Sequence, residues 1–194
     1  PLFLWHRQVV AVVGATGAVG SALARRLVTR GRTPWLIGRS MGKLKELADQ
    51  LGNDHDALCS EVDLADPSAI ASALGEIPAE VNGLAYCAGD IALKPLKRAS
   101  PLDFRACFDL HVVGAAETLK CLEPNMKKNP GSSVVLFSSV AVQQGFANHA
   151  IISSAKGAIE GLTRALAAEL SPKRTEIRSQ RVRDPLLDWR AGQS

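Results

Sequence analysis

From Gln8 onward the chain alternates between two hydrophobic patterns. Short runs of β-branched and apolar residues, the mark of buried strands, are followed by longer stretches in which apolar residues recur at helical spacing. "QVVAVVG" (residues 8–14) reads as a first strand. "AVGSALARRLVTRG" (18–31) reads as a helix, with Gly31 as the C′ glycine that ends it. "TPWLIG" is a second strand, and "GKLKELADQLG" a second helix closed by Gly52. "DALCSEVDL" is a third strand. "DPSAIASALGEI" is a helix opened by Asp66 as N-cap and Pro67 at N1. "VNGLAYCAG" is a fourth strand. Ser100 and Pro101 then open one long helix through Leu122. "SSVVLFSS" is a fifth strand, and "SSAKGAIEGLTRALAAEL" a closing helix with Ser153 and Ser154 as its caps.

Strands that alternate with helices predict a parallel sheet with helices on both faces. Right-handed crossovers turn this into a single-domain α/β fold with a doubly wound (Rossmann) parallel sheet. In such sheets ligands bind beyond the carboxyl ends of the strands. The glycines of "GATGAVG", Gly14, Gly17 and Gly20, fall at the turn from strand one into helix one. Glycines there let a pyrophosphate approach the backbone and the helix N-terminus, with Thr16, Ala18 and Val19 alongside. The alternative is a plain turn with small residues for packing. Strand two ends in "GRS". A free ribose 2′-hydroxyl calls for an acid there and a 2′-phosphate for an arginine. Gly38 stands in the acid's place and Arg39 follows, with Ser40 able to add a hydrogen bond, so NADP(H) is the expected cofactor.

Bulk properties narrow the picture further. The 194 residues, 46% hydrophobic and 22% charged, suit one globular domain with a sizeable core. No apolar run approaches the roughly 20 residues of a membrane span, so no membrane role is expected. The net charge of +4 is concentrated in residues 173–194, which hold six basic and three acidic groups and leave +1 for the rest. That tail, with one Trp189, is poor material for a nucleic-acid face. The body reads as residues 1–172 and the basic tail as 173–194. Cys59, Cys87, Cys107 and Cys121 form no CxxC pair and the histidines are scattered. No metal site is expected, and free thiols point to a reducing, cytoplasmic setting. The chain starts at Pro1 and not at Met, which fits a processed end, a tag remnant or a fragment, so a targeting peptide before Pro1 stays an open alternative.

Taken together, these motifs resemble the short-chain dehydrogenase/reductase family over residues 8–171. "GATGAVG" resembles its glycine loop. "VDL" places Asp63 and Leu64 where the family contacts adenine. "YCAG" resembles its Asn-Asn-Ala-Gly turn, with Cys87, Ala88 and Gly89 against the cofactor. Ser139 in "FSSVAVQQG" matches the catalytic serine, and Lys156 in "SAKGAIEG" the catalytic lysine that also holds the nicotinamide ribose. The resemblance implies reduction of a small-molecule carbonyl or oxidation of an alcohol. It also implies a homodimer or homotetramer formed through the helices at 101–122 and 153–170. On the second of these, Ile159, Leu162, Leu166 and Leu170 form one stripe, which alternatively packs on its own sheet.

Two further departures matter, one at the active-site positions and one in length. Ile152 stands where the Tyr-x-x-x-Lys pair has its tyrosine, and its neighbour is Ile151. His111 stands where the family has a helical asparagine. After residue 173 no strand-like run and no Pro-Gly follows. Either residues are missing before a non-contiguous tail, or the substrate half of the pocket is absent and a sheet edge lies open. Isoleucine cannot deliver a proton to an alkoxide. His149 and His111 are the candidate replacements, since a histidine exchanges protons near neutrality. The competing reading is a non-catalytic NADP(H)-binding scaffold or sensor, a subunit of a larger assembly.

Overall fold

The five apolar runs form five strands: β1 (Val9–Val13), β2 (Thr33–Gly38), β3 (Leu58–Glu61), β4 (Val81–Tyr86) and β5 (Ser133–Ser139). The structure is a computed structural model that describes residues 8–52, 58–129, 131–170 and 176–182. Between the strands run α1 (Ala18–Val28), α2 (Met41–Leu51), α3 (Ile70–Leu74), α4 (Pro101–Phe108), α5 (Gly114–Met126), the short α6 (Ala141–Gln144) and α7 (Ala150–Leu170). A sixth strand, β6 (Glu176–Val182), completes a sheet of order β3-β2-β1-β4-β5-β6. Every pairing is parallel. The sheet is therefore doubly wound. Its direction of growth reverses between β1 and β4, which opens a crevice at their carboxyl ends.

Alternation along the strands covers both faces of the sheet. Val12 and Leu36 face α1 and α2 with Ala24, Leu44, Leu47 and Leu51. Ala11, Val13, Trp35, Ile37 and Leu84 share the other core with residues of α3, α5 and α7. Each valine, leucine or isoleucine side chain among them contributes about 1.5–3 kcal/mol on leaving water. The stripe on α7 is spent in this core. Ile159 and Leu170 are buried, and Leu162 and Leu166 pack against the same cluster. The stripe packs on its own sheet and gives no separate argument for association.

Four local readings need correction. The region after residue 173 does contain a strand. β6 pairs with β5 from Ser133↔Glu176 to Ser139↔Val182, so the sheet runs past 172 and the edge of β5 is paired. Residues 173–175 and 183–194, which include Trp189 and much of the basic charge, lie outside the described residues, as do residues 1–7. The long helix is interrupted by a π-helical segment, Asp109–Val113. There the buried Tyr86 hydroxyl donates to the Leu110 carbonyl at 2.7 Å. Helix three is a 3₁₀ turn (Pro67–Ala69) and a single α-turn, although Asp66 caps it as expected by accepting from the Ser68 N–H. Finally, α7 begins at Ala150, which places Ser153 and Ser154 inside the helix. Their hydroxyls donate to the carbonyls of Ala141 and Ile151, so they do not cap it.

Candidate active site

The turn after β1 shows why the loop consists of glycines. Gly14 has φ +74°, and a Cβ on it would stand 2.7 Å from the Ala88 backbone of the β4 turn. A Cβ on Gly20 would run into the Gly14 carbonyl. The two glycines lock the first turn of α1 against β1 and β4. Gly17 is the N-cap of α1, and no side chain caps it. The orphan amides of an 11-residue helix thus end uncovered at the crevice, which suits the pyrophosphate of a dinucleotide. By contrast, the Ser40 hydroxyl accepts the Lys43 N–H and caps α2.

Two neighbouring cavities follow the carboxyl edge of the sheet. A groove of about 500 Å³ collects Gly14, Thr16, Gly17, Arg39, Asp63 and Leu64. A second cavity, of about 360 Å³, collects Val19, His111, Ser139, His149, Ile152 and Lys156. Cys87, Ala88, Gly89 and Asp90 line both. Of the residues singled out in the sequence, Ala18, Gly20 and Ser40 line neither. Asp63 accepts the Ala65 N–H at 3.0 Å, and the half-buried Cys87 thiol is pushed up to about 12 by its burial.

The second cavity holds the acid–base groups. The Ser139 hydroxyl oxygen accepts the Ala141 N–H at 3.2 Å, which leaves its own proton to donate. Lys156, on α7, donates to the Phe137 carbonyl at 2.8 Å. Burial lowers its ammonium from 10.5 to about 8, and no carboxylate pairs with it among the described residues. Ile152 is 3% exposed and presents only carbon.

The two histidines differ in kind. His111 is 2% exposed, on the π-helical segment against Gly89, where a Cβ would overlap its ring. Its Nε2 lies 3.1 Å from the Asp90 carbonyl, which only accepts, so Nε2 carries the proton. Nδ1 is then a bare acceptor, buried without a partner. Burial first, and the Lys156 charge second, lower its pKa to about 4. At neutral pH His111 is an uncharged acceptor, unsuited to deliver a proton. In His149, at the cavity rim, Nδ1 lies 2.7 Å from the Ala147 carbonyl and so holds a proton. That leaves Nε2 for proton exchange.

The model of one family, described as short chain dehydrogenase, matches residues 8–183. This chain is a short-chain dehydrogenase. Members of the family are oxidoreductases that bind nicotinamide cofactors and act on small molecules. Among curated relatives, the chain is 28% identical over 173 residues to a 3-oxoacyl-[acyl-carrier-protein] reductase of Bos taurus, covering 88% of this chain and 72% of that one. It is 24% identical to an NADP-dependent 3-hydroxy acid dehydrogenase of Shigella flexneri, at 91% and 69% coverage. A solved metagenomic short-chain oxidoreductase in complex with NADP superposes with a TM-score of 0.82 at 25% identity, covering 90% of this chain and 81% of that one. No helix among the described residues is long and apolar enough to cross a membrane.

Several groups in this dehydrogenase's site carry no mark in the sequence. Asp90, the carbonyls of Phe137 and Ala147, and Phe146, whose ring centroid lies 5.4 Å from that of His149, all arrive through folding. Position after a strand's carboxyl end was the one available clue to Asp90.

The lysine offers a test of its environment. Its folded pKa is depressed, so its charge opposes folding below pH 8, and that penalty fades as the pH rises from 8 to 10.5. Lys156→Met is therefore expected to raise Tm at pH 7, with a smaller increment at pH 10, as read by thermal unfolding at both pH values.

Proposed function

We propose that this dehydrogenase reduces a carbonyl or oxidises an alcohol with NADP(H), and that His149 serves as the proton donor. The observation that carries the reading is the His149 ring. It is anchored through Nδ1 to the Ala147 carbonyl in the cavity that also holds Ser139 and Lys156. The bound nicotinamide supplies or takes the hydride. Gly14 and Gly17 and the uncapped start of α1 would hold its pyrophosphate, Arg39 the 2′-phosphate, Asp63 and Leu64 the adenine, and Lys156 the nicotinamide ribose. Ser139 donates to the carbonyl oxygen and orients it. Protonated His149 transfers its Nε2 proton to the developing alkoxide, while the Ala147 carbonyl stabilises the imidazolium through Nδ1–H. In the oxidative direction the same nitrogen accepts the alcohol proton.

Arg39 is exposed at the mouth of the groove, and no acid stands beside it at Gly38. A charge-assisted hydrogen bond to phosphate is worth about 1.5–3 kcal/mol. Arg39→Ala is expected to weaken NADPH binding by about 10- to 100-fold and leave NADH binding unchanged, as read by cofactor fluorescence. Loss of both nucleotides together would point to a general defect and remove the argument for NADP(H).

One observation favours a second reading. Ile152 fills the place where the family resemblance expects an acid, and a protein that only binds the nucleotide would tolerate this. Incubating the full chain with NADPH and a panel of ketones and aldehydes decides between the readings. Oxidation of NADPH supports the enzyme, whereas tight binding with no oxidation supports a sensor or scaffold. Association of copies, implied by the family, is supported by Leu102 and Phe108, which leave apolar surface exposed on α4.

A further inference from the structure

We propose that Lys94 is a positioning residue for proton transfer, tying the loop that presents His149 to the start of α4. This rests on the reading of His149 as proton donor. The loop runs from Phe146 to His149, and it is folded mostly on itself. The His149 N–H donates to the Phe146 carbonyl at 3.3 Å, and its Nδ1–H to Ala147. Asn148, the residue before the histidine, has φ +66° and is the only non-glycine residue with positive φ among the described residues. Asparagine enters that region more easily than most residues, but it needs surroundings that select it.

Selection comes from outside the loop. The Asn148 carbonyl accepts the backbone N–H of Lys94 at 3.0 Å. Lys94 belongs to the stretch after β4 that has no regular structure, so strand or helix pairing does not set its place. Its side chain does. The ammonium lies 2.7 Å from both oxygens of Asp103. Asp103 in turn accepts the Ser100 N–H at 2.7 Å and the Ser100 hydroxyl at 2.8 Å, while its own N–H donates to the Ser100 hydroxyl oxygen. This capping box roots the carboxylate on the first turn of α4. A continuous line of bonds thus runs from the α4 cap through the Lys94 side chain and main chain to Asn148, and so to the histidine.

Fold stability does not account for the arrangement. The Lys94–Asp103 pair is partly open to water, and such pairs add little to stability. Lys94 lines neither cavity, so its effect on chemistry passes either through Asn148 to His149 or through Asp103 to the cofactor groove, and NADPH affinity separates the two. Asp103 borders the cofactor groove, which makes Lys94 the cleaner point to cut.

The test is a double-mutant cycle on the full chain, using the ketone on which wild type shows turnover. Lys94→Met is expected to lower kcat about tenfold, with KM and NADPH affinity held within about twofold, since modest misplacement of a reacting group costs rate before binding. Lys94→Arg, which keeps a cation on Asp103, should restore most of the loss. In a His149→Ala background, Lys94→Met should have no further effect. An equal tenfold loss in both backgrounds, or no loss in either, overturns the proposal. The donor reading has its own failure, an unchanged kcat in His149→Ala alone. In that event the ring signals of His149 decide the positioning claim separately by NMR. They should shift or broaden in Lys94→Met and return in Lys94→Arg, and signals that stay in place would overturn it. Thermal unfolding of each variant confirms that the proteins compared are folded.

Discussion

His149→Ala is expected to lower kcat by about 10²- to 10⁴-fold, the usual worth of a positioned general acid, while NADPH binds as in wild type. The other groups in or near the cavity are committed or unsuited, Lys156 being held by the Phe137 carbonyl. Ile152 offers carbon alone. Ser139 can orient a carbonyl, but an alcohol is too weak an acid to supply the proton unaided. His111 is buried, its protonated nitrogen is held by the Asp90 carbonyl, and its free nitrogen accepts. Tyr86, the chain's single tyrosine, is committed to the Leu110 carbonyl, and burial pushes its hydroxyl further from ionisation. His149 combines access to the cavity with an anchored ring that, unlike that of His111, is not buried. His149→Gln should match alanine, because an amide can hydrogen-bond but not protonate an alkoxide. Steady-state kinetics at saturating NADPH reads the effect. A variant with wild-type kcat would remove His149 from the chemistry.

Gly20→Ala is expected to weaken NADPH binding by about 10²-fold and to lower Tm. The added Cβ meets the Gly14 carbonyl oxygen and, at 2.8 Å, the Ala15 Cα. Both are backbone atoms that cannot rotate away, so the first turn of α1 must move off the sheet. Overpacking of this kind costs about 1–3 kcal/mol in stability. The same shift spoils the alignment of the α1 amides with a pyrophosphate. Gly17→Ala serves as a comparison, since its Cβ would lie 3.3 Å from the Gly14 carbonyl and is the milder intrusion. Titration of both variants with NADPH, beside thermal unfolding, checks this. Wild-type affinity in Gly20→Ala would show that the turn does not set the cofactor's seat.

Most of the sheet could be read from residue patterns because β1, β2, β4 and β5 bury apolar residues, and burial writes itself into composition. The limits of β2 were legible to the residue, since Thr33 and Gly38 bound an unbroken apolar run. β6 was not legible. "EIRSQRV" has only Ile177 and Val182 as apolar residues, and it is a strand because β5 offers it an edge, which is a tertiary fact. The π-helical segment escaped detection for a similar reason, since its contact with Tyr86 spans 24 positions of sequence. At the site, the glycine turn was legible because backbone geometry demands that residue type. The division of labour between His111 and His149 was not. It follows from which carbonyl each ring meets, and sequence does not record carbonyls. The bond from Lys94 to Asn148 lies wholly in the main chain and is invisible for the same reason.

The reversal of strand order between β1 and β4 also bears on how the molecule assembles. β1 finds β2 soon after synthesis, but its other neighbour, β4, lies far along the chain, with Val9 paired to Val81 and Val13 to Tyr86. Parallel pairings of such separation close late, because the chain entropy of a long loop must be overcome first. The half that carries "GATGAVG" can therefore form before the half that carries Ser139, His149 and Lys156 exists. The crevice thus lies between a unit built on near pairings and one that depends on distant pairing. A dinucleotide lying across it would hold the two together, and its binding would add to the resistance of the whole sheet to unfolding as its concentration rises above Kd.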